Sequence, residues 1–322
     1  MKLLKDAEEF GDLSTQYREA VSDGHDDRAK EIMKDIKTLV YFNAERLRQN
    51  FRLELKGEAL SISKRRGVMI PALTIQNKLS RGDSFSMRDV VTFDPHVKQK
   101  MTGINMMLDY SGSMWFPKKD DMVGGKVQRI YAQNFFALTL AVYIELVGKG
   151  KNKILITPFC QTALIQDFSN GVFKGDWDTL IVHERWCSGI EINKTLMPKE
   201  MKSFDKYWCQ NEHPLKAYEQ TFSVFRRGRY TGFVNLFITD GGISRLGETG
   251  EDTKEFLMKT FAKINQIGGK NSQNAFVIIK EQRRWTRDIL ESISIKYGVF
   301  NSEEEFDNSF GYITNLLNRV VT

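Results

Sequence analysis

The most constraining feature of the chain is an apolar segment that ends in a cluster of oxygen-bearing side chains. Residues 104–114 read Ile-Asn-Met-Met-Leu-Asp-Tyr-Ser-Gly-Ser-Met, and the first part of this run is typical of a buried strand. Asp109, Ser111 and Ser113 follow directly on it. Carboxylate and hydroxyl oxygens at one strand end are hard ligands of the kind that Mg²⁺ or Mn²⁺ prefers. The alternative is an ordinary polar turn, since Asp, Ser and Gly are common turn residues.

A second segment of the same kind favours a binding site over a turn. Residues 234–239 read Val-Asn-Leu-Phe-Ile-Thr, and Asp240 follows them ahead of two glycines. In a parallel sheet with helical crossovers, the carboxyl ends of neighbouring strands face one crevice, and ligands bind there at the switch point. Asp109 and Asp240 are therefore expected to converge.

From Gly103 onward, segments with strand and helix patterns alternate, which predicts an α/β fold with a doubly wound, mostly parallel sheet. Strands are predicted at residues 104–108, 154–159, 163–166, 233–239 and 275–279. Helices are predicted at residues 127–147, from about 191, and at 251–267, 285–297 and 303–320.

The sequence predicts that the chain consists of two parts. Residues 1–100 are predicted to form an N-terminal helical hairpin and a connecting segment, and residues 101–322 an α/β domain with an aromatic-rich insert near residues 200–230. Apolar residues recur at helical spacing in residues 3–21 and 26–51. Two such helices bury too little apolar area to be stable alone, so we expect them to dock on the domain.

Composition narrows the classes of function. The net charge is +6, but 47 basic residues are interspersed with 41 acidic ones, which is typical of a solvated surface; a nucleic-acid partner is not expected. The chain shows neither an apolar stretch that predicts a membrane span nor a signal-peptide pattern, so a cytoplasmic location and no membrane partner are expected. The three cysteines are widely spaced and predict reduced thiols.

At these motifs the chain resembles the von Willebrand factor A (vWA) family. That family has a metal-ion-dependent adhesion site (MIDAS) with an Asp-x-Ser-x-Ser first motif, a threonine in a second loop, and an aspartate after a later strand. Asp109, Ser111 and Ser113 match the first motif, and Asp240 matches the third. The resemblance covers about residues 100–320 and implies that these four side chains bind Mg²⁺ or Mn²⁺.

The resemblance extends beyond the ligands. Residues 154–168 resemble the family's second strand and its short antiparallel edge strand, and residues 298–321 resemble its closing strand and helix. It therefore implies a Rossmann-like sheet with one antiparallel edge strand.

The second motif departs from the family pattern. Residues 188–196 read Ser-Gly-Ile-Glu-Ile-Asn-Lys-Thr-Leu, where the family often has Gly-Gly-Thr-x-Ile-x-x-Ala-Leu. Ile190 stands where the threonine hydroxyl belongs, and its side chain cannot coordinate a metal. Ser188 and Glu191 are candidates to take the role, and a water molecule is the third possibility.

The resemblance implies a protein-interaction module rather than an enzyme. In the family, the metal keeps an open position, and an aspartate or glutamate of the partner protein completes its coordination. Among signal-free members, the chain resembles those that partner AAA+ ATPases of the MoxR or metal-chelatase type, including cobalt-chelatase-like subunits. We therefore expect an adaptor whose protein partner presents a carboxylate.

Two other functions stay open at this point. One is a structural subunit of a larger assembly, such as a virion. The other is a Mg²⁺-dependent phosphoryl-transfer enzyme, in which an aspartate at a strand end becomes the nucleophile. Ser111 stands where the haloacid-dehalogenase pattern has its second aspartate, and the chain has no Gly-x-x-x-x-Gly-Lys-[Ser/Thr] loop, so no catalytic residue is expected.

Overall fold

A six-stranded sheet lies at the centre of the described part of the chain. The computed structural model describes residues 2–50, 68–69, 92–93, 101–115, 119–148, 152–160, 163–168, 171–181, 213–227, 230–243, 250–269, 272–281 and 285–321. The strands are β1 (Val68–Met69), β2 (Thr92–Phe93), β3 (Met101–Asp109), β4 (Lys153–Phe159), β5 (Gln166–Asp167), β6 (Tyr230–Thr239), β7 (Ser272–Ile279) and β8 (Lys296–Phe300). The helices are α1 (Leu3–Ser22), α2 (Asp26–Asn50), α3 (Arg129–Gly148), α4 (Trp177–Ile181), α5 (Pro214–Arg227), α6 (Gly250–Gly268), α7 (Trp285–Ser292) and α8 (Glu303–Val321).

The sheet has the strand order β5-β4-β3-β6-β7-β8, and β1 pairs with β2 in a separate ribbon. Strands β3, β4, β6, β7 and β8 run parallel to one another, and β5 pairs antiparallel with β4 at the edge. The chain moves outward from β3 to β4 and then crosses back to β6 on the other side of β3. This arrangement confirms the predicted fold class, and it places the switch point of the sheet between β3 and β6.

Alternate residues of the strands face two separate apolar cores. On β3, Ile104, Met106 and Leu108 belong to the core shared with α1, α2, α3 and α8, whereas Met107 belongs to the core under α5, α6 and α7. Side chains of a strand point alternately to opposite faces, so a strand covered on both faces is apolar at nearly every position. The two cores explain why β3 and β6 read as continuous apolar runs.

Helix α3 is buried on all sides. Its side chains from Ile130 to Ile144 are buried, because the sheet covers one side and α1 and α2 cover the other. The rings of Phe10 and Phe135 lie 5.7 Å apart between centroids. Gly11 allows this close approach, since a Cβ there would lie 3.1 Å from the Tyr131 ring.

The apolar character of α3 corrects the expectation that the chain has no apolar stretch of the kind that could span a membrane. Among the described residues, α3 is the one helix whose length and hydropathy would allow it to cross a membrane, and 83% of its most apolar window is buried inside the fold. A helix that is apolar all round is either a membrane span or a core helix. Its cover by α1, α2 and the sheet accounts for the composition.

The first helix of the N-terminal hairpin, α1, is joined to the rest of the fold by polar contacts near both of its ends. The backbone N–H of Leu4, in the first turn of α1, donates to Asp307 Oδ1 of α8 at 2.8 Å. Near the other end of α1, Tyr17 Oη donates to Asp178 Oδ1 of α4 at 2.7 Å. The Leu4 N–H has no acceptor within α1, because it lies in the first turn, and Asp307 near the other end of the chain supplies one.

Aromatic residues from the predicted insert form the second core. Tyr218, Phe222 and Phe225 of α5 are buried against the sheet, and Phe237 and Phe276 stack with centroids 4.6 Å apart. The remainder of the insert, residues 204–212, lies outside the described residues, as does the helix predicted from about residue 191.

The helix predicted over residues 285–297 ends earlier than its pattern suggests. Helix α7 stops at Ser292, where Ser294 adopts a φ of 57°. The N–H of Ile295 donates to the carbonyl of Leu290, and the N–H of Ser294 donates to that of Glu291. This pair of bonds is a Schellman termination, which is usually marked by glycine. Ser294 takes the left-handed position in place of a glycine, so the sequence pattern does not indicate where α7 ends or where β8 begins.

Candidate metal site at the carboxyl end of the sheet

The two predicted aspartates, Asp109 and Asp240, lie at the same end of the sheet, where β3 and β6 terminate. Strands β3 and β6 pair in parallel with Leu108 opposite Ile238, so Asp109 lies at the level of Thr239, one residue before Asp240. Both aspartates are fully buried. The structure therefore brings together side chains that are 131 positions apart in the sequence.

The Asp109 carboxylate is held by the protein on both oxygens. Its Oδ1 accepts from the Ser111 N–H at 2.8 Å, and its Oδ2 accepts from Thr239 Oγ1 at 2.6 Å. Its backbone carbonyl accepts from Gln133 Nε2 of α3 at 2.8 Å. These three bonds fix the carboxylate and also the backbone from which the serine loop starts.

The two serines of the first motif present their hydroxyls side by side. Ser111 and Ser113 flank the glycine that begins a short 3₁₀ helix, Gly112–Trp115, and their Oγ atoms are 3.0 Å apart. The N–H of Met114 donates to the Ser111 carbonyl at 3.1 Å and closes this turn. Ser111 is buried and Ser113 is half-buried, so the pair reaches from the interior toward the surface.

The loop after β6 depends on a glycine. Asp240 Oδ1 accepts from the Gly242 N–H at 2.8 Å, and Thr239 Oγ1 accepts from the Gly241 N–H at 3.0 Å. Gly241 has a φ of 74°, a backbone conformation that favours glycine. Thr286 Oγ1 of α7 donates to the Gly241 carbonyl at 2.6 Å and fixes the turn from outside.

A buried arginine joins the site. Arg129, at the start of α3, is 2% exposed, and its Nη1 lies 3.5 Å from Asp240 Oδ2. Nη1 also donates to the Ser113 carbonyl at 2.9 Å, and Nε donates to the Lys280 carbonyl at 3.1 Å. Its Nη2 lies 3.5 Å from Asp121 Oδ1.

The charge balance of the site favours a cation. Burial, and after it the nearby negative charge of Asp240, raise the pKa of Asp109 to about 6, although the bonds from Thr239 and Ser111 lower it. Two buried carboxylates that repel each other are stabilised by positive charge between or beside them.

The side chains present fit a hard divalent cation by type. Asp109, Ser111, Ser113 and Asp240 offer carboxylate and hydroxyl oxygens, which suit Mg²⁺ or Mn²⁺ rather than a thiophilic metal. In the described part of the chain, no group of three or more His, Cys, Asp or Glu side chains gathers as a metal cluster, so this site depends on the serines. Arg129 already supplies one positive charge beside Asp240, which reduces the attraction for an ion.

The sequence analysis did not predict three residues that contact the candidate ligands. Thr239, Gln133 and Arg129 each contact a predicted ligand residue. A signal exists for two of them: Arg129 and Gln133 are one helical turn apart in an otherwise apolar helix, which indicates a polar stripe facing a polar site.

Other predicted site residues cannot be compared with the geometry. Ser188, Ile190 and Glu191 of the second motif lie outside the described residues. Trp115, two residues after Ser113, is half-buried and packs against the core that contains α3. Within the described residues, the site therefore consists of the first and third motifs and the polar side chains that hold them.

Comparisons with known proteins give likenesses of fold. No protein-family model and no curated protein sequence matches the chain. The PilB minor pilin from Streptococcus sanguinis is 12% identical with a TM-score of 0.46, over 74% of this chain and 67% of the pilin. A point mutant of the same pilin is matched over 65% of its length, so the chain spans less than two thirds of that structure.

Two further structures are similar to the chain at this level. BatB, a conserved hypothetical protein from Bacteroides thetaiotaomicron, is 12% identical with a TM-score of 0.41, over 68% of this chain and 98% of that one. A von Willebrand factor type A structure from Catenulispora acidiphila is 13% identical with a TM-score of 0.38, over 69% of this chain and 43% of that one. The fold class of this chain rests on its own strand order and strand directions.

Proposed function

We propose that the chain is a protein-interaction module that binds a carboxylate of its partner through a divalent cation, Mg²⁺ or Mn²⁺. One observation carries the proposal: two carboxylates and two serine hydroxyls, the latter 3.0 Å apart, meet where β3 and β6 end side by side. Ser111 and Ser113 would hold the ion, and Asp109 and Asp240 would supply negative charge. A divalent cation with neutral hydroxyl ligands attracts an incoming carboxylate strongly in a buried setting.

The bonding of Asp109 supports binding over phosphoryl transfer. Both oxygens of Asp109 accept bonds from the protein, at 2.8 and 2.6 Å. Each bond occupies one of the two lone pairs of its oxygen, holds the carboxylate in place and lowers its nucleophilicity. A module that holds an ion without breaking a bond of its partner agrees better with this arrangement.

The partner is proposed from the resemblance to one group within the vWA family. The chain resembles the signal-free vWA proteins that partner MoxR-type or chelatase-type AAA+ ATPases, so we propose an adaptor of such an ATPase that works in the cytoplasm. Its partner would present an aspartate or glutamate to the ion.

Calorimetry tests the ion site directly. Mg²⁺ or Mn²⁺ is titrated into the natural protein, into Ser113→Ala and into Ser223→Ala, a control that removes a serine hydroxyl on α5 away from the site. We expect Ser113→Ala to weaken binding about tenfold or more, and the control to match the natural protein. Equal affinities in all three proteins would contradict the ion site.

Partner capture tests the function. A pull-down from cell extract is compared in Mg²⁺ and in EDTA, with the natural protein and with Ser113→Ala as bait. We expect a partner that is lost in EDTA and with Ser113→Ala, and that is recovered with Ser223→Ala. A partner retained equally in EDTA would place the contact elsewhere on the surface, and hydrolysis of a phosphoester that depends on Asp109 would revive the enzyme alternative.

A further inference from the structure

Arg129 is a buried cation inside a site that we propose for another cation. Its side chain is 3% exposed and that of Asp240 is 0% exposed, so the two charges face each other away from water. A buried charge is tolerated only when it is paired and hydrogen-bonded, and Arg129 meets both conditions.

The contacts of Arg129 join four separate segments. They reach the serine loop through the Ser113 carbonyl, the 3₁₀ turn Lys119–Asp121 through Asp121, the end of β6 through Asp240, and the end of β7 through the Lys280 carbonyl. One side chain at the start of α3 thus spans the ends of β3, β6 and β7.

One of these segments needs outside support. Lys280 has a φ of 52°, a left-handed conformation that is uncommon for a residue with a side chain. Its N–H donates to the Phe300 carbonyl at 2.9 Å, and its own carbonyl accepts from Arg129 Nε at 3.1 Å. The two bonds hold an unfavourable turn beside the site.

We propose that Arg129 is a positioning residue that serves as the permanent cation of this site; the part that concerns the ion rests on the proposed function. It holds the ends of β3, β6 and β7 in place when no divalent ion is bound. It also compensates part of the charge of Asp240, and a divalent ion therefore binds more weakly and exchanges more readily than at the same oxygens without a neighbouring cation.

Arginine suits both parts of this role. The guanidinium is planar, is charged at every working pH, and carries five N–H donors in a fixed geometry. It can therefore serve two carbonyls and two carboxylates at once. A lysine at the same position keeps the charge but cannot make these contacts together, so the two parts can be separated by substitution.

The experiment compares Arg129→Gln and Arg129→Lys with a control, Arg46→Gln. Arg46 pairs with Asp6 on the surface, with a side chain 45% exposed, so the control makes the same change of net charge away from the site. Thermal unfolding in EDTA measures positioning. Calorimetry with Mg²⁺ or Mn²⁺ alone measures the charge effect.

We expect both Arg129 variants to melt about 10 °C below the control in EDTA, because each leaves buried groups without their partner. We expect Arg129→Gln to bind Mg²⁺ about tenfold tighter than the control, since a positive charge has left the site. Arg129→Lys should bind it within about threefold of the control. If Arg129→Gln does not fold, positioning is supported, and Arg129→Lys decides the charge effect.

Each part can be overturned separately. Arg129 variants as stable as the control in EDTA would overturn positioning. Arg129→Gln with unchanged Mg²⁺ affinity, or Arg129→Lys with tightened affinity, would overturn the charge effect. If neither the natural protein nor any variant binds Mg²⁺ or Mn²⁺, the proposed function and the charge effect fail, whereas positioning is still decided by the melts.

Discussion

The two faces of the sheet are covered to different depths. On one face, α3 lies against the sheet, and α1 and α2 lie over α3, so that two layers of helices cover the sheet there. On the other face, among the described residues, α5, α6 and α7 form a single layer over the aromatic core. Helices of the single layer are amphipathic, whereas α3 is buried on every side.

The difference teaches how the composition of a helix should be interpreted. Helix α3 has the length and hydropathy of a membrane span, and a second layer of helices covers its outer side. The number of covered sides determines the pattern of apolar residues. The N-terminal hairpin is thus part of the core and not an appendage.

The largest expected effect comes from removing the second layer. Deleting residues 2–50 exposes the outer side of α3, including Phe135, and breaks the bond between Leu4 and Asp307. We expect the truncated protein to aggregate and to lose cooperative thermal unfolding, because a wide apolar surface would face water. Circular dichroism and size-exclusion chromatography check this result, and a monomer with a cooperative melt would show that one layer suffices.

A smaller effect is expected from one side chain of that layer. Phe10 is fully buried against Phe135, and Phe10→Ala should lower the free energy of unfolding by about 3–5 kcal/mol in urea denaturation. Phe42, on α2, is 61% exposed, and Phe42→Ala should change it by no more than about 0.5 kcal/mol. Similar losses in both variants would mean that the hairpin is not docked as described.

The contact between Tyr17 and Asp178 sharpens the comparison through pH. Burial raises the pKa of Tyr17 above its usual value near 10.0, and the hydrogen bond to Asp178 and the charges of Asp178 and Asp176 raise it further. The folded protein therefore keeps this proton while the unfolded chain loses it above about pH 10. The stabilisation that the contact between Tyr17 and Asp178 contributes is present below about pH 10 and falls as the pH rises beyond it.

Tyr17→Phe tests this contact. We expect it to cost about 1–2 kcal/mol at pH 8, because a hydrogen bond to a charged group is lost. The difference from the natural protein should shrink by pH 11. Urea denaturation at the two pH values measures it, and a difference that is constant across this range would argue against a shifted pKa.

The smallest effect is expected on the single-layer face. Tyr218 Oη lies 2.9 Å from Ser272 Oγ, and Ser272 Oγ also accepts from Asn235 Nδ2 at 3.2 Å. Tyr218→Phe therefore leaves the serine with one partner, and we expect a loss of about 1 kcal/mol or less in urea denaturation. A loss as large as that of Phe10→Ala would show that the buried polar network, and not apolar depth, dominates this face.

The fold is predictable from the sequence where local patterns and tertiary cover agree. Strands β3 and β6 are mostly apolar because both faces are covered, and an aspartate stands at the end of β3 and directly after β6. The end of α7 is different, since Ser294 replaces the glycine that usually marks such a turn. Depth of cover is also absent from the local pattern, which is why α3 resembles a membrane span.

The positions of the candidate ligands are predictable from the sequence, whereas the contacts of the side chains that hold them are not. Asp109, Ser111, Ser113 and Asp240 lie where strand ends predict them. The helical spacing of Arg129 and Gln133 indicates a polar stripe, but it does not identify the partners of Arg129, which are up to 167 positions apart, from Ser113 to Lys280. These partners become visible only when the strand ends are placed side by side.

The position of the hairpin in the chain has a consequence for synthesis. The ribosome releases the chain from the N-terminus, so the residues of α1 and α2 emerge before the 20 apolar-rich residues of α3 and are available to cover them. The most apolar helix, α3, is thus synthesised after the two helices that cover it. A circular permutant that carries residues 2–50 behind residue 322 would keep the folded contacts but reverse this order, and we expect less of it to be recovered in the soluble fraction on expression.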